Sequence, residues 1–576
     1  MASTSSSDEE TEALVPRHAT DSTEPAVVCH VVPRGGSIEL PSFWRSTRFT
    51  IVIVVFFGSI LCAAQALALA ATLPHMLNHS EIANRWARDE QRLNGSARRR
   101  FQLHHVFVTS STVDGAFILS EHLQNVLLAS FFCGYAAFLL LAGIMAERIS
   151  STYLLFWTAL IASTATLLAP TMARVSPHCL LIVRFLSGAG CAFYFPCVYD
   201  IWSAWVPPGE RSKTVGLALS SFNLGVACTF PAAAFLSVTF HWDVVFYAIG
   251  GLSTLWCFAW RWLVSDCPEN HSRIHDNEKN LINQCLLGQT AVTLDSTRVV
   301  TRVHLSSPCR FLVSFAVLSN TLSHMVADCG GFVLVSTVLL FAKEKMPEFE
   351  THNSLLLVSL PFFVSWLSGT GTGILADWLR HRHILNTNHT RKLFNTIALV
   401  GHSIFLLPLV YCSDLNSIWV LLPLLALAHA CYGFRFPADM TNPLDYAPAQ
   451  AATIFGFIGT LSILCAALFA WQTHFVENSG QWELFFWSWL GVCLAVALFY
   501  ALVGSGELQD WASLATEDEA NAELIARALR QTESEDALLV GAYDAHSVTA
   551  SVRPNRLNYS PPTERGLGDA AAKLFR

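Results

Sequence analysis

The sequence predicts an all-α membrane protein with twelve transmembrane helices arranged as two bundles of six. Three observations predict this class. Of the 576 residues, 53% are hydrophobic and 14% are charged, whereas an average soluble domain carries about 25% charged residues. The apolar residues form runs of about 20 residues, the length that crosses a bilayer as a helix. A polar stretch near the middle of the chain divides these runs into two sets of six.

Twelve runs meet the length and composition of a membrane span. The first set lies at 49–73, 121–145, 152–172, 178–203, 214–238 and 243–264, and the second at 310–341, 354–376, 394–412, 417–442, 450–472 and 483–504. Polar residues interrupt the seventh and the tenth runs. The pattern therefore predicts an amino-terminal six-helix bundle over 46–266 and a carboxyl-terminal six-helix bundle over 308–506.

Polar segments surround the two predicted bundles. They are a disordered amino-terminal tail (1–45), a long loop (74–120), a central loop (267–307) and an acidic carboxyl-terminal tail (507–576). The basic loop residues fall on one side of the membrane: Arg148, Arg211, Lys213, Arg380 and Arg391. The positive-inside rule predicts that this side is cytoplasmic, and both tails and the central loop lie on the same side. The long loop is then luminal, and Asn78 and Asn94 lie there in glycosylation sequons. The first apolar run starts only near Phe49, so it is expected to stay as an anchor.

The chain shows no sequence pattern of a metal site or of an enzyme. Its 16 cysteines are scattered without metal-ligand spacing, which is typical of cysteines that pack as small apolar residues. No nucleophile and base form a recognisable catalytic set. We therefore expect neither catalysis nor a cofactor, and no nucleic-acid partner.

Two cytoplasmic loops repeat one pattern, in which a glycine and three further residues precede an acidic and then a basic residue. The stretches are GIMAER after the second run and GILADWLR after the eighth. The residues concerned are Gly143, Glu147 and Arg148 in the first loop, and Gly373, Asp377 and Arg380 in the second. The glycine permits close helix packing and the charges permit ion pairs, so the pattern predicts a gating and structural role. The alternative is two unrelated charged loops.

Several stretches, in order, resemble one family of carriers. They are QNVLLASFFCGY (124–135), RFLSGAG followed by FPCVYDIWSAWVPPGERSK (184–213), NPLDYAP (442–448) and GSGELQDWA (504–512). Together with the two-bundle plan they resemble the major facilitator superfamily, in its family of sialin, vesicular glutamate and type I sodium/phosphate transporters, and sialin-like members most closely. The resemblance covers residues 45 to 512. It implies alternating access, with an anion bound between the bundles.

The resemblance implies that Arg184 contacts the anion. An arginine inside a membrane usually faces the protein interior, and its planar fork fits a carboxylate. The alternative is an arginine that only pairs with a neighbouring helix. The chain departs from the family at four places: Ala66 stands where the first helix usually has an arginine, Cys191 replaces a glutamate, Ala192 replaces the glycine after it, and Tyr199 replaces a histidine. Tyr199 is expected to donate a hydrogen bond to the substrate.

Two charged pairs are candidates for the missing groups. His324 and Asp328 lie four residues apart, as do Arg435 and Asp439, so each pair shares a helix face. The functional interpretation is a relocated anion or proton site, with His324 as pH-responsive residue and substrate contact. The alternative is two internally satisfied pairs that hold helices together. Asn442 and Asp445 match a family motif and are expected to structure the turn between the tenth and eleventh spans.

The sequence therefore predicts a secondary active transporter of organic anions, such as an acidic sugar, an acidic amino acid or a similar carboxylate. Proton coupling is expected. A sodium-linked or facilitative carrier of phosphate or another solute, and a non-transporting binding relative, remain alternatives. The resemblance implies a lysosomal or vesicular membrane, with the plasma membrane as alternative, and a monomer in the bilayer. Glu10 to Leu14 resembles a dileucine signal for sorting adaptors, although a disordered acidic tail explains it equally well.

Overall fold

The computed structural model describes residues 43–78, 115, 117–290, 310–333, 338, 351–411 and 418–512. In these ranges the chain is helical, and the only β-contact is a bridge between Leu77 and Phe117 that ties together the ends of the long loop. Nine helices in these ranges are long and apolar enough to cross a membrane. Asn94 and the segment from Glu10 to Leu14 lie outside the described residues, so the predictions made for them stay predictions.

The amino-terminal half contains six of the nine spans. They are α1 (Thr47–Met76), α2 (Glu121–Ala146), α3 (Ser151–Val175), α4 (Pro177–Trp205), α5 (Pro208–Thr239) and α6 (Trp242–Leu263). Serine side chains begin four of these helices, because Ser46, Ser120, Ser150 and Ser176 each accept a hydrogen bond from a backbone N–H in the first turn. Helix starts are thus encoded locally, while the apolar runs set their length.

The carboxyl-terminal half is less regular. Its first three segments are α7 (Phe315–Asp328), α8 (Thr351–His381) and α9 (Thr387–Thr396, continued by Ile397–Gly401 and His402–Leu406), and its last three are α10 (Ile418–Tyr432), α11 (Ala451–Ser479) and α12 (Trp482–Val503). A π-helical turn follows α7 at Cys329–Val333, and irregular turns continue α10 through Met440. Such turns often mark functional positions in helices.

The outer surface of the bundles carries large apolar side chains. Leu255 and Phe258 of α6 are 68% and 57% exposed, and Leu468 and Trp471 of α11 are 69% and 74% exposed. Extensive exposed apolar surface on a folded protein marks contact with a membrane or a partner. On helices of spanning length it is the surface that faces lipid, so the chain is a multi-pass membrane protein.

The two halves meet closely on the side that the sequence predicts to be cytoplasmic. A Cβ atom at Gly143 of α2 would lie 2.5 Å from the carbonyl oxygen of Ala452, and one at Gly373 of α8 would lie 2.6 Å from that of Ser212. A helix of the central loop, Asp276–Thr290, packs against the start of α1. Its Glu278 accepts hydrogen bonds from the backbone nitrogen and from the side chain of Arg48 at the start of α1.

Candidate functional site

Arg184 lies inside the amino-terminal half, on α4, with only 1% of its surface exposed. Its Nη1 and Nη2 donate hydrogen bonds of 2.8 Å to the backbone carbonyls of Gln65 and Ala66 on α1. The guanidinium group also lies 4.9 Å from the centroid of the Phe131 ring. Within the described part of the chain, no carboxylate pairs with Arg184. The structure therefore buries a positive charge that only neutral groups solvate.

Ala66 and Cys191 stand at two positions where the family usually carries a charged residue, and both are uncharged here. Ala66 offers its carbonyl to Arg184, and Cys191 lies with its Sγ 3.7 Å from Oε1 of Gln65. Gln65 in turn accepts a hydrogen bond from Thr166 of α3 and donates one to Ser253 of α6. Gln65 thus connects four helices of this half. Gln65 was not predicted as a site residue, because no sequence pattern around it indicates this role.

The four candidate residues of the carboxyl-terminal half form one connected group, here called the charged cluster. Arg435 of α10 donates from Nη1 to Asp328 of α7 and, over 3.1 Å, from Nη2 to Asp439. The imidazole of His324 lies between the two acids, with Nδ1 2.8 Å from Asp439 and Nε2 3.4 Å from Asp328. The sequence treated these residues as two pairs along two helices. The structure joins the pairs across the α7–α10 contact.

The charged cluster is buried except at one point. The side chains of His324, Arg435 and Asp439 are at most 4% exposed, whereas Asp328 is 23% exposed. Two hydroxyl groups add hydrogen bonds to it: Tyr432 accepts from Nη1 of Arg435, and Ser462 of α11 donates to Asp328. Neither residue was predicted from the sequence. Tyr432 was detectable, since it lies one helical turn before Arg435, but no pattern points to Ser462.

The net charge of the cluster depends on one proton. With a neutral imidazole, the two carboxylates outnumber the guanidinium and leave one negative charge in excess. With an imidazolium the cluster is neutral: Nδ1 donates to Asp439, and Nε2 lies 3.4 Å from Asp328 as an ion pair. Burial of an unbalanced charge is costly, so protonation of His324 changes the electrostatic energy of this half.

Tyr199 connects the charged cluster to the amino-terminal half. Its hydroxyl donates a hydrogen bond of 2.6 Å to the carbonyl of Met440, next to Asp439 on α10. Its ring stacks on Phe455 of α11 at 4.5 Å, and the edge of the His324 ring meets the same phenyl ring at 5.8 Å. Tyr199 therefore lies with His324 and not with Arg184.

The two repeated loop motifs occupy equivalent contacts between the halves. Glu147 accepts a hydrogen bond of 2.8 Å from the backbone nitrogen of Thr453, in the first turn of α11. Asp377 accepts one of the same length from the backbone nitrogen of Lys213, near the start of a helix in α5. Each acid therefore caps a helix of the opposite half, where the helix dipole favours negative charge. Arg380 bonds to Asp377 and to the carbonyl of Pro208, while Arg148 lies in the turn after α2.

Asp445 is the centre of a second contact between the halves. It forms ion pairs with Arg391 of α9 at 2.7 Å and with Arg211 of α5 at 3.2 Å, and all three side chains are nearly inaccessible. Asn442 donates to the hydroxyl of Tyr500 and to the carbonyl of Ser505. The sequence assigned Asn442 and Asp445 to the turn before α11. The structure places them there and adds the bridge to α5.

We expect Glu147 to make the stability of the folded chain depend on pH. Burial raises its pKa from 4.5 to about 7. Between pH 4.5 and about pH 7, the Glu147 carboxyl keeps its proton in the folded chain but loses it in the unfolded chain. The free energy of unfolding therefore falls as the pH rises through this range, by up to about 3 kcal/mol. Glu147→Gln cannot ionise. Its thermal midpoint should match that of the wild type at pH 5 and exceed it at pH 8.

The matched control for this prediction is Glu269→Gln, which neutralises an exposed glutamate of the central loop. Its midpoint should differ from that of the wild type by the same amount at both pH values. A Glu147→Gln difference that is equally large at pH 5 and pH 8 would contradict the prediction.

Comparisons with known proteins assign the fold and the type of protein. Residues 55–470 match the family model of the Major Facilitator Superfamily. The chain is 27% identical over 493 residues to an uncharacterized transporter of Caenorhabditis elegans, covering 84% of this chain and 96% of the relative. It is 27% identical to sialin of Homo sapiens, covering 81% and 91% of the two chains, and 28% identical to vesicular glutamate transporter 2 of Mus musculus, covering 66% and 65%.

A solved structure supports the same architecture. The proton:xylose symporter XylE, crystallised with a bromodeoxyglucose, superposes with a TM-score of 0.57 at 14% identity and covers 81% of this chain and 98% of its own. This likeness confirms the predicted fold of twelve helices in two six-helix bundles. The prediction that the chain is no enzyme is also confirmed, since the relatives are transporters. The chain belongs to the Major Facilitator Superfamily, as a transporter of the type that includes sialin, the vesicular glutamate transporters and the sodium-dependent phosphate transporters.

Proposed function

We propose that the protein is a secondary active transporter that moves an organic anion by alternating access, driven by protons. The substrate class is a carboxylate such as an acidic sugar or an acidic amino acid. The observation that carries the proposal is Arg184, a buried cation whose hydrogen bonds go to the carbonyls of Gln65 and Ala66 instead of to a carboxylate. A buried charge without a counterion is costly, and an anionic substrate supplies the counterion.

The geometry favours a carboxylate over a point-like anion. The two terminal nitrogens of Arg184 donate side by side to two successive carbonyl oxygens, the arrangement that also holds the two oxygens of one carboxylate. Cys191 and Ala66 bring no second charge to this half. The name of the similar vesicular glutamate transporter refers to a carboxylate substrate, which supports the same class.

The charged cluster supplies a mechanism for proton coupling. The groups that face His324 are Asp328 on its own helix, Arg435 and Asp439 of α10, and Phe455 of α11 with Tyr199 behind it. Uptake of a proton by the imidazole neutralises the cluster. A neutral cluster costs less to enclose in a low-dielectric interior, so protonation favours the state in which the halves shut over it.

A proton-driven carrier requires a membrane that separates compartments of different pH. Sialin and the vesicular glutamate transporters are the relatives that suggest a lysosomal or vesicular membrane, and an acidic lumen supplies the gradient. Proton export from such a lumen together with the anion is the direction that this gradient drives.

Reconstitution of the purified chain in proteoliposomes tests the proposal. Uptake of labelled glutamate, aspartate, sialic acid, a nucleotide and phosphate is measured with an imposed pH gradient, in sodium and in potassium buffers. We expect one carboxylate to be taken up strongly when the gradient is present, equally in both buffers. Uptake that follows sodium and ignores the pH gradient identifies a sodium-linked carrier. Binding of an anion without flux identifies a non-transporting relative.

We expect His324→Gln to uncouple uptake from pH. Glutamine keeps polar contacts with the two aspartates but binds no proton near neutral pH. Gradient-driven uptake should fall by about tenfold, while the exchange of labelled for unlabelled substrate at equal pH on both sides continues. The control is His389→Gln, an exposed histidine at the start of α9. A pH profile that is unchanged in His324→Gln would remove this residue from the mechanism.

A further inference from the structure

Tyr199 of α4 makes a direct contact between the two halves, to which the proposed mechanism has not yet given a role. Its side chain is fully buried, and its hydroxyl donates a hydrogen bond of 2.6 Å to the carbonyl oxygen of Met440 at the end of α10. A hydrogen bond between α4 and α10 breaks when the halves separate at this point. The bond therefore belongs to the conformational step of the proposed cycle as well as to the folded structure.

The irregular end of α10 makes the Met440 carbonyl available for this bond. Phe436–Met440 forms a π-helical turn, and a new short helix, Asn442–Tyr446, follows it. In an uninterrupted α-helix the N–H of Leu444 would donate to the carbonyl of Met440. Here it donates to the carbonyl of Thr441 over 3.1 Å. A carbonyl in the protein interior requires a donor, and Tyr199 of the opposite half supplies one.

Phe455 of α11 fixes the position of the Tyr199 ring. The two rings stack with centroids 4.5 Å apart and an interplanar angle of 22°. Phe195, one turn before Tyr199 on α4, lies against the same phenyl ring at 5.8 Å. Phe455 also follows Ala452, whose carbonyl oxygen lies at the Gly143 contact, by one helical turn. Tyr199 thus adds a second layer to the contact between the halves, one turn further along α11.

The π-helical turn of α10 also carries Asp439, the carboxylate of the charged cluster that directly precedes Met440. Nδ1 of His324 lies 2.8 Å from Oδ2 of Asp439 and 3.1 Å from Nη2 of Arg435, while Asp328 faces Nε2 at 3.4 Å. Only a protonated Nδ1 can donate to the carboxylate, and only an unprotonated Nδ1 can accept from the guanidinium. The proton on this atom therefore decides which of the two groups the ring binds. A displacement of Asp439 also moves the Met440 carbonyl, since the two residues are neighbours in one turn.

We propose that Tyr199 is a positioning residue of the transport cycle, which holds the two halves closed through Met440 and releases them according to the state of the charged cluster. The connection is made of direct contacts: His324 binds Asp439, Asp439 adjoins Met440, and Met440 accepts from Tyr199. In this role the Tyr199 hydroxyl donates to the protein, whereas the sequence led us to expect that it donates to the substrate. The inference rests on the proposed alternating access with proton coupling.

Hydrogen–deuterium exchange of the purified full chain in lipid nanodiscs measures the closure. The backbone N–H groups of Lys213 and Thr453 donate to Asp377 and Glu147 of the opposite half, so peptides that cover 211–216 and 451–456 report separation of the halves. Tyr199→Phe keeps the ring stack but removes the donor. We expect exchange in these peptides to be about two- to tenfold faster than in the wild type, which corresponds to the net strength of one hydrogen bond.

Tyr194→Phe is the matched control. Tyr194 is also a buried tyrosine of α4, and its hydroxyl donates over 2.5 Å to the carbonyl of Val55 within the amino-terminal half. The variant loses a comparable hydrogen bond without changing the contact between the halves, so exchange in the two peptides should match that of the wild type. Equal acceleration in Tyr194→Phe and Tyr199→Phe, or none in Tyr199→Phe, would overturn the proposal.

Combination with His324→Gln tests the link between Tyr199 and the charged cluster. His324→Gln cannot neutralise the cluster, so at acidic pH we expect faster exchange in the same peptides. If Tyr199 transmits the state of the cluster, adding His324→Gln to Tyr199→Phe changes the exchange by less than about twofold, because coupled residues do not act additively. Unchanged exchange in His324→Gln alone, or effects that multiply in the double variant, would overturn the link.

The exchange measurements need neither substrate nor a pH gradient, so they can fail independently of the proposed function. Absence of gradient-driven uptake in proteoliposomes refutes proton-coupled transport and leaves the result for Tyr199→Phe standing. Gradient-driven uptake by the wild type, together with unaltered exchange in Tyr199→Phe, refutes only the role of Tyr199.

Discussion

Replacement of Arg184 by alanine is expected to reduce anion uptake at least about a hundredfold, because it removes a charge-assisted pair of hydrogen bonds in a site shielded from water. The loss should appear in substrate binding as well as in flux, since Arg184 is a buried cation for which the described chain shows no carboxylate partner. Binding is measured by thermal stabilisation of the purified protein with increasing substrate, and flux by uptake into proteoliposomes.

Two variants show whether the loss comes from the charge, from the fork geometry or from disturbed folding. Arg184→Lys keeps the positive charge but not the two parallel donors, so we expect intermediate uptake. Arg174→Ala removes an arginine at the end of α3 that is half exposed and pairs with Asp243, and it should leave uptake unchanged. If Arg184→Ala still binds the substrate as tightly as the wild type, Arg184 serves only to hold α4 against α1.

Replacement of Asp445 by alanine is expected to cost about 3–5 kcal/mol of folding free energy, the usual cost of removing one partner from a buried ion pair. The change leaves Arg391 and Arg211 close together without their shared carboxylate, and both guanidinium groups are only about 1% exposed. The thermal midpoint of the purified protein measures the loss. Because Arg211 belongs to α5 and Arg391 to α9, the same change also weakens the contact between the halves.

The matched control is Asp243→Ala, which breaks the ion pair with the exposed Arg174. Surface pairs contribute between zero and about 1 kcal/mol, so its midpoint should stay close to that of the wild type. Equal midpoints for the Asp445 and Asp243 variants would contradict the prediction and indicate that solvent reaches the Asp445 site.

The apolar runs and a few polar spacings were enough to predict the fold and to select the residues of the charged cluster. Length and composition determine which segments can span a bilayer, so the order of helices follows from the sequence alone. Spacing by four residues placed His324 with Asp328 and Arg435 with Asp439. The contacts that join one pair to the other were not predictable, since they depend on how α7 and α10 are rotated toward each other.

The partners of Arg184 show a second limit of sequence reasoning. The guanidinium binds backbone carbonyls of Gln65 and Ala66, and every residue has a carbonyl, so no side-chain pattern encodes the contact. The central-loop contact between Glu278 and Arg48 was missed for a related reason. The two residues lie 230 positions apart, and only the docking of the central-loop helix against the start of α1 brings them together.

The close glycine contacts between the halves have a consequence for the entropy of docking. At Gly143 and Gly373, backbone meets backbone without an intervening side chain. Docking at these points immobilises no side-chain rotamers, so the closed state forms there with little loss of conformational entropy. A surface that docks at small entropic cost also has little to regain when it separates. In the alternating-access cycle proposed above, the two glycines therefore lower the entropic cost of docking the halves on this side.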